Sequence, residues 1–290
     1  MVPAPISEML SEAREKRYAV GYFESWNLES TRAVIAAANE ERSPVIIGFN
    51  GTIVDEHRRD LEYYAAIGKV AARKAQVPVG LILNEASGFE QIILGIRYGF
   101  PTVMIDGSSM TFENNVRLTR KVVDVAHSAN VSVEGQSDEL PHSKAGILPE
   151  KDIKTNMTDP KKAQDFVNRT GVDALSVSVG NVHVLYKEYA EIDFERLEEI
   201  AKAVDIPLVL HGATGIKDDS IKKAIELGIC KINLGTALRL TFTVGIRNAL
   251  GVRSLAEPEG VLELAEFELK EFVKTKMRVY GSSGKVKTIG

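Results

Sequence analysis

The feature that most constrains the fold is the recurrence of eight short apolar runs rich in β-branched residues. Most runs are continuously apolar instead of alternating with polar residues, which is typical of parallel strands buried on both faces. The runs are YAVGYF (18–23), SPVIIGFN (43–50), VPVGLIL (77–83), PTVMIDG (101–107), VSVEGQ (131–136), ALSVSVG (174–180), IPLVLHG (206–212) and CKINLGT (230–236).

Segments with helical periodicity separate these runs. Apolar residues recur three and four positions apart in 29–41, 58–76, 113–129, 194–204 and 218–228. The segment TDPKKAQDFVNRTG adds a capping residue, Pro160 in the first turn and Gly171 at the end. Eight strand–helix units predict an α/β fold, a closed (β/α)8 TIM barrel. An open doubly wound sheet is the alternative, but the first strand lacks the GxGxxG turn typical of that fold.

We expect one domain over residues 1–290, with two additions to the plain repeat. The segment EPEGVLELAEFELKEFVKTKMRV predicts an extra amphipathic helix near the C-terminus. Residues 137–159 form a long polar connection after the fifth strand, with little periodicity. A long loop at this end of a barrel is often an active-site lid, and a solvated insertion is the alternative.

Composition excludes several classes of protein. The net charge of −4 provides no basic excess for a nucleic-acid backbone. A single cysteine, Cys230, rules out an intramolecular disulfide and a cysteine-based zinc motif. No apolar stretch approaches the length of a membrane span, and the N-terminus does not resemble a signal peptide. We therefore expect a cytoplasmic protein that binds neither nucleic acid nor membrane.

Polar side chains follow the apolar runs at the positions where the strands end. Chemistry in such barrels lies at the carboxyl ends of the strands, and polar groups buried there need partners. The residues at these ends are Glu24, Asn50, Asn84, Glu85, Asp106, Glu134, Gln136, Asn181, His183, His211, Asn233 and Thr236.

Three of these residues form a candidate metal site. His183 and His211 end neighbouring predicted strands, and Glu85 adds a carboxylate. Two histidines and a carboxylate are a common catalytic ligand set for zinc, and also for iron or manganese. The alternative is two rim histidines bonded to neighbouring carboxylates, since no HxxxH-type spacing supports a metal.

Two glycine-containing turns form a candidate phosphate site. HGATG (211–215) and NLGTA (233–237) each lead into a helix, and backbone amides at helix N-termini bind phosphate. The loops after strands seven and eight are the usual phosphate site of α/β barrels. Gly212, Thr214, Gly235 and Thr236 are the candidate residues there, and Lys187 could add a positive charge. Ordinary tight turns are the alternative.

Together these stretches resemble the class II, metal-dependent fructose-bisphosphate and tagatose-bisphosphate aldolase family. The resemblance spans nearly the whole chain and rests on motifs such as YAVGYFESWNLES, VPVGLILNEASGFE, GFPTVMIDGSSMTFENNV, TGVDALSVSVGNVHVLYK, IPLVLHGATGI and GICKINLGTALR. It implies a TIM barrel, usually dimeric or tetrameric, that cleaves a phosphorylated ketose to dihydroxyacetone phosphate. It also implies Zn²⁺ as the metal, polarising the substrate carbonyl.

The resemblance assigns roles to particular residues. His183 and His211 match two of the family's three metal histidines. Gly212, Thr214, Lys187, Gly235 and Thr236 match positions around the phosphate, and Asn233 matches a residue that contacts substrate. Asp106 and Glu134 match acidic positions that support or flank the metal.

The chain departs from the family pattern at Asn84-Glu85, where the family has Asp-His. The aspartate exchanges a proton with substrate, which Asn84 cannot do near neutral pH. Glu85 could still bind metal, although neighbouring side chains on a strand should point to opposite sides. Glu24, Trp26, Asn50, Gln136 and Val184 also differ, while the phosphate loops remain. This combination implies a changed reaction or substrate.

Three functions follow as hypotheses. In the first, a metal-dependent lyase uses Glu134 or a residue of the 137–159 loop for proton transfer. In the second, Glu85 is the general base of a metal-independent phosphosugar enzyme. A Schiff-base version needs a lysine inside the barrel, but Lys231 is expected at its bottom face. The third is a non-catalytic phosphosugar-binding protein.

Overall fold

A closed barrel of eight parallel strands, each paired with its sequence neighbours, forms the centre of the molecule. The computed structural model describes residues 3–143, 146–147, 156–252 and 257–286. The strands are β1 (Val20–Glu24), β2 (Val45–Asn50), β3 (Val79–Ala86), β4 (Thr102–Ile105), β5 (Ser132–Gln136), β6 (Ala174–Ser176), β7 (Leu208–Leu210) and β8 (Ile229–Leu234). The (β/α)8 TIM barrel predicted from the apolar runs is confirmed.

Helices surround the barrel and alternate with its strands along the chain. They are α1 (Ile6–Glu15), α2 (Leu28–Glu41), α3 (Gly51–Glu56), α4 (Leu61–Lys74), α5 (Phe89–Tyr98), α6 (Phe112–Ser128), α7 (Pro160–Thr170), α8 (Phe194–Ala203), α9 (Asp218–Glu226), α10 (Thr236–Val252) and α11 (Pro258–Val279). The extra C-terminal helix is α11, which packs against α2 and α10. Within the described part of the chain, no helix is long and apolar enough to cross a membrane.

The amino end of the barrel is closed by α1, which the sequence analysis did not predict. Ile6, Met9 and Leu10 of α1 are buried in a cluster with Ile46 and Ile82 from the strands. The backbone N–H of Ala4 also donates to the carbonyl of Val79. This end is therefore filled with apolar side chains, which leaves the carboxyl end for polar ones.

Strands β6 and β7 are shorter than the apolar runs that predict them. After β6 the chain leaves the barrel ladder and pairs with Thr158, whose N–H donates to the carbonyl of Ser178. The Thr158 hydroxyl in turn accepts from the N–H of Ser178. Val177 still donates to the carbonyl of Val209 in β7, whereas Ser178 and Val179 satisfy their backbone polar groups outside the barrel, with Thr158, Asn181 and Asp193.

Candidate functional site

A pocket opens at the carboxyl ends of the strands, where the sequence places its polar residues. Its volume is about 580 Å³. Most of the predicted site residues line it, namely Asn50, Asn84, Glu85, Asp106, His183, His211, Gly212, Thr214, Asn233, Gly235 and Thr236. Glu134 and Lys187 are not among the described lining residues. The barrel thus brings together side chains that are separated by as many as about 190 positions in sequence.

Asn84 and Glu85 both face this pocket, so the expectation that they point to opposite sides is wrong. The pairing of β3 with β4 shifts register between Leu83 and Ala86. Glu85 has a left-handed backbone with φ 49°. A bulge of this kind re-aims a side chain and is common beside active sites. The irregular backbone therefore turns the carboxylate back toward the pocket.

Glu85, His183 and His211 offer ligand atoms that all lie within 4.8 Å of one another. The Nδ1 atom of His211 is 3.4 Å from Glu85 Oε1. Asn50 donates through Nδ2 to Glu85 Oε2 at 2.5 Å, which fixes the other carboxylate oxygen. The three donors predicted from sequence therefore converge on one point.

Burial and hydrogen bonding set the protonation of these groups. Burial lowers the pKa of His183 to about 4, although the charge of Glu85 opposes this. Burial alone would raise the pKa of Glu85, but its hydrogen bond with His211 and the neighbouring histidines bring it to about 2. At neutral pH the site therefore presents a neutral imidazole at His183 and a carboxylate at Glu85.

Glu134 lies beneath the pocket and is buried with His211. Its Oε1 accepts from His211 Nε2 at 2.8 Å, and its Oε2 accepts from the Lys231 ammonium at 2.7 Å. Burial raises the pKa of Glu134, but the charge of Lys231 and the hydrogen bond from His211 lower it overall. The Nε2 atom of His211 is thus held by Glu134, while its Nδ1 atom points toward Glu85.

Lys231 lies inside the barrel, so its expected place at the bottom face is wrong. Its side chain is 0% exposed, and its ammonium donates to Glu134 and, at 2.7 Å, to Asn233 Oδ1. The ammonium also lies 4.8 Å from the centre of the Tyr22 ring. Since Oδ1 of Asn233 accepts from Lys231, the amide Nδ2 of Asn233 is turned toward His211 and the pocket.

Asn84 carries an unpartnered polar atom. The residue is buried, yet Asn84 Oδ1 has no hydrogen-bond partner among the described residues. A buried polar atom without a partner is costly unless something else pairs with it. Because Asn84 lines the pocket, a ligand hydroxyl could donate to this oxygen.

The two predicted phosphate turns lie side by side. Gly212 has φ 66°, and a Cβ on it would lie 2.6 Å from the carbonyl oxygen of Val182. Thr214 Oγ1 accepts from the N–H of Ala237 at 3.1 Å, which joins the β7 turn to the start of α10. Lys187 lies away from the pocket lining, with its ammonium 5.7 Å from the Tyr186 ring.

Asp106 lies on the opposite side of the pocket, at the end of β4. Its Oδ1 accepts from the N–H and the hydroxyl of Ser108, at 2.9 and 2.5 Å. Gln136 Nε2 approaches the same oxygen at 3.4 Å. The aspartate is thus fixed by its own turn and presents a carboxylate to the pocket.

Sequence reasoning did not single out several residues that line the pocket, among them His142, Arg239 and Glu56. His142 forms an isolated bridge with His183, and the two rings stack with their centres 4.8 Å apart. It belongs to the unpatterned 137–159 loop, of which 144–145 and 148–155 lie outside the described residues. Arg239 donates to Glu24 Oε1 at 2.5 Å. Its position one turn after Thr236 could have indicated this place.

Comparisons with known proteins point to one family. A sequence model of the family described as "Fructose-bisphosphate aldolase class-II" matches residues 4–285. A probable fructose-bisphosphate aldolase of Bacillus subtilis is 40% identical, over 96% of this chain and 97% of that protein. The fructose-bisphosphate aldolase of Geobacillus stearothermophilus is 38% identical, over 97% of both proteins. The crystal structure of the YdjI aldolase from Escherichia coli K12 matches with a TM-score of 0.85 and 34% identity, covering 99% of this chain and 100% of that chain.

Proposed function

Because this chain belongs to the class II fructose-bisphosphate aldolase family and is an aldolase-type carbon–carbon lyase, we propose that it cleaves a phosphorylated ketose with a divalent metal held by Glu85, His183 and His211. The convergence of these three pocket-lining donors within 4.8 Å carries the proposal. Dihydroxyacetone phosphate is the expected three-carbon product.

The donor set fits Zn²⁺. Two imidazoles and one carboxylate, with an open position toward solvent, are a common catalytic zinc set. The low pKa of His183 keeps its lone pair available, and the bond from His211 Nε2 to Glu134 leaves Nδ1 for the metal. When bound, the metal supplies Lewis-acid polarisation of the ketose carbonyl.

The protein's own residues bind and orient the sugar phosphate. The phosphoryl group lies at the start of α10, among the residues of the two turns. Gly212 and Gly235 supply backbone amides there, and Thr214 and Thr236 supply hydroxyls as well. Asn233 donates through Nδ2 to a substrate oxygen, because Lys231 holds its Oδ1. A phosphate role for Lys187 and substrate contacts from Asn50 and Asp106 stay predictions.

Proton transfer must come from a residue other than Asn84. The amide accepts a hydrogen bond from a substrate hydroxyl through Oδ1 but exchanges no proton near neutral pH. Glu134 is engaged by His211 and Lys231, which favours a positioning role over the catalytic one predicted from sequence. His142 is the described residue of the 137–159 loop that lines the pocket, and imidazole is suited to this transfer.

The metal-independent alternative is less well supported. A carboxylate whose pKa is about 2, as at Glu85, is a weak general base at neutral pH. A Schiff base is disfavoured for a different reason. The Lys231 ammonium is inside the barrel, but it is buried beneath the pocket and paired with Glu134.

The first experiment is elemental analysis of the tag-free protein, purified without chelators, beside Glu85→Gln and Glu56→Gln variants. We expect near-stoichiometric zinc in the wild type and clearly less zinc in Glu85→Gln, because a charged ligand is removed. Glu56→Gln is the matched control, since Glu56 lines the same pocket outside the donor set. Equal metal content in all three proteins would remove Glu85 from the ligand set.

Activity is tested by screening phosphorylated ketoses for release of dihydroxyacetone phosphate. In the same assay, we expect His142→Gln to lower kcat about 100-fold or more, the usual effect of losing a general acid–base group. An unchanged kcat in His142→Gln would assign proton transfer elsewhere. Binding of sugar phosphates without cleavage of any of them would favour the non-catalytic alternative.

A further inference from the structure

Tyr22 of β1 carries a second unpartnered polar atom in the pocket, besides that of Asn84. The residue lines the pocket and is 2% exposed. Its hydroxyl has no hydrogen-bond partner among the described residues. A buried hydroxyl without a partner costs free energy, and phenylalanine would fill the same space without that cost. This position therefore favours phenylalanine unless a ligand pairs with the hydroxyl.

The packing of the Tyr22 ring directs its side chain toward the carboxyl end of the barrel. Tyr22 is paired in register with Ile46 of β2. Its ring nevertheless lies against Gly48, where an added Cβ would be 2.7 Å from Tyr22 Cε2. Since Gly48 follows Ile46 by two positions, the side chain leans from its own level toward the pocket. The Lys231 ammonium, 4.8 Å from the ring centre, and the buried side chains of Ile46 and Ile82 hold the ring in place.

The neighbours of Tyr22 are groups that face the proposed substrate. The pairing of β1 with β8 sets Tyr22 beside Asn233, which donates to a substrate oxygen in the proposed function. Asn233 in turn precedes the phosphate turn after β8. Burial, together with the charges of Glu24 and Glu85, raises the pKa of Tyr22 well above its ordinary value. The hydroxyl thus stays protonated and is a neutral donor near the part of the ketose that carries the phosphate.

We propose that Tyr22 is a substrate-binding residue whose hydroxyl donates to an oxygen on the three-carbon part of the ketose, the part that leaves as dihydroxyacetone phosphate. This inference rests on the proposed aldolase function and adds a donor to the same site. A site with a buried donor rejects a ligand that lacks the matching oxygen, because the donor then stays unpaired. Tyr22 therefore selects oxygenated three-carbon phosphates over phosphate esters with a bare carbon chain.

The test is calorimetric titration of the metal-loaded wild type and Tyr22→Phe with two ligands. One is dihydroxyacetone phosphate, and the other is n-propyl phosphate, which has the phosphate and three carbons but no further oxygen. We expect Tyr22→Phe to weaken binding of dihydroxyacetone phosphate about tenfold, because one hydrogen bond is lost. Binding of n-propyl phosphate should be the same in both proteins. Equal affinity of both proteins for dihydroxyacetone phosphate would overturn the inference and leave the aldolase function standing.

Tyr18→Phe is the matched control. Tyr18 is also 2% exposed and belongs to the same buried cluster as Tyr22, but it is not among the described lining residues of the pocket. Its variant should bind both ligands like the wild type.

Thermal unfolding separates substrate binding from a structural role of Tyr22. We expect the Tm of Tyr22→Phe to equal or exceed that of the wild type, because an unpartnered buried hydroxyl is removed. A lower Tm with equal losses of affinity for both ligands would show that the hydroxyl supports the fold, and would overturn the inference. The expected loss of affinity without cleavage of any phosphorylated ketose by the wild type would count against the proposed function alone.

Discussion

Lys231 is the residue whose chemistry depends most on its surroundings. Its ammonium is buried inside the barrel and compensated by Glu134, Asn233 and the face of Tyr22. A buried ion pair gives little net stability over an apolar pair, but breaking it leaves an uncompensated charge. Glu134 therefore connects Lys231, beneath the pocket, with His211, because it accepts a hydrogen bond from each.

We expect Lys231→Met to lower the free energy of unfolding by about 3–5 kcal/mol, because it leaves the Glu134 carboxylate buried and unpaired. The double variant Lys231→Met/Glu134→Gln should recover part of that loss, since neither charge remains. Urea denaturation of the single and double variants measures both effects. A loss below about 1 kcal/mol in Lys231→Met would show that Glu134 takes up a proton or finds another partner.

Val184 shows how a substitution on the active face is accommodated. It lines the pocket with φ 58°, a left-handed backbone that a β-branched residue rarely adopts. The resemblance to the aldolase family implies a glycine at this position, which would take that conformation without strain. Val184 thus holds a backbone conformation that favours glycine.

Among the helices, α7 has clear capping residues at both ends. Asp159 accepts through Oδ1 from the N–H groups of Lys161 and Lys162, at 3.0 and 2.9 Å, and Pro160 follows it at the first helical position. Gly171 ends the helix in a left-handed conformation with φ 75°. Both ends were predicted from the sequence, because cap residues act through bonds only a few positions away.

We expect Asp159→Ala to destabilise the protein by about 1 kcal/mol, because two amides at the start of α7 lose their acceptor. Asp159→Asn is the matched control, since its side-chain oxygen can still accept, and it should cost only a few tenths of a kcal/mol. Denaturant titration of both variants gives the comparison. Equal losses would mean that charge at the helix terminus, instead of the hydrogen bonds, is the stabilising factor.

In the molecule as a whole, hydrogen bonds connect the end of α11 to the end of α2, which packs on the barrel. Glu41 Oε1 accepts from Arg278 Nη2 at 2.5 Å, and its Oε2 accepts from Arg278 Nε at 3.1 Å. The Ser283 hydroxyl donates to the same Oε2 at 2.5 Å. These bonds join the last residue of α2 to the end of α11 and to the turn that follows it.

This contact predicts a dependence of stability on pH. The hydrogen bond from Arg278 outweighs burial and holds the pKa of Glu41 below its ordinary value of 4.5. A carboxyl with a lowered pKa in the folded state stabilises the protein above the unfolded pKa, and this contribution is lost as pH falls through the folded pKa. We therefore expect Glu41→Gln to lower Tm at pH 7 and to differ less from wild type below pH 4.

Thermal unfolding at both pH values measures this effect, with Glu226→Gln as the control for removing an exposed charge. A constant difference in Tm between Glu41→Gln and wild type at the two pH values would contradict the assignment. It would show that the side chain contributes through packing and not through its charge.

The barrel could be predicted from the sequence, because strand burial and helical periodicity are local patterns. The eight apolar runs each correspond to a strand, and the polar residues at their ends gather at one rim because parallel strands share a direction. Glu85, His183 and His211 could therefore be grouped before any distance was known.

The directions and contacts of those side chains depend on the folded barrel. The bulge in β3 places Asn84 and Glu85 on one side, against the alternation of an ideal strand. His142 reaches His183 through a loop without periodicity, and Lys231 points into the barrel to meet Glu134. The pairing of Glu24 with Arg239 joins residues 215 positions apart. These contacts depend on barrel closure and on the course of irregular backbone, which no local sequence pattern encodes.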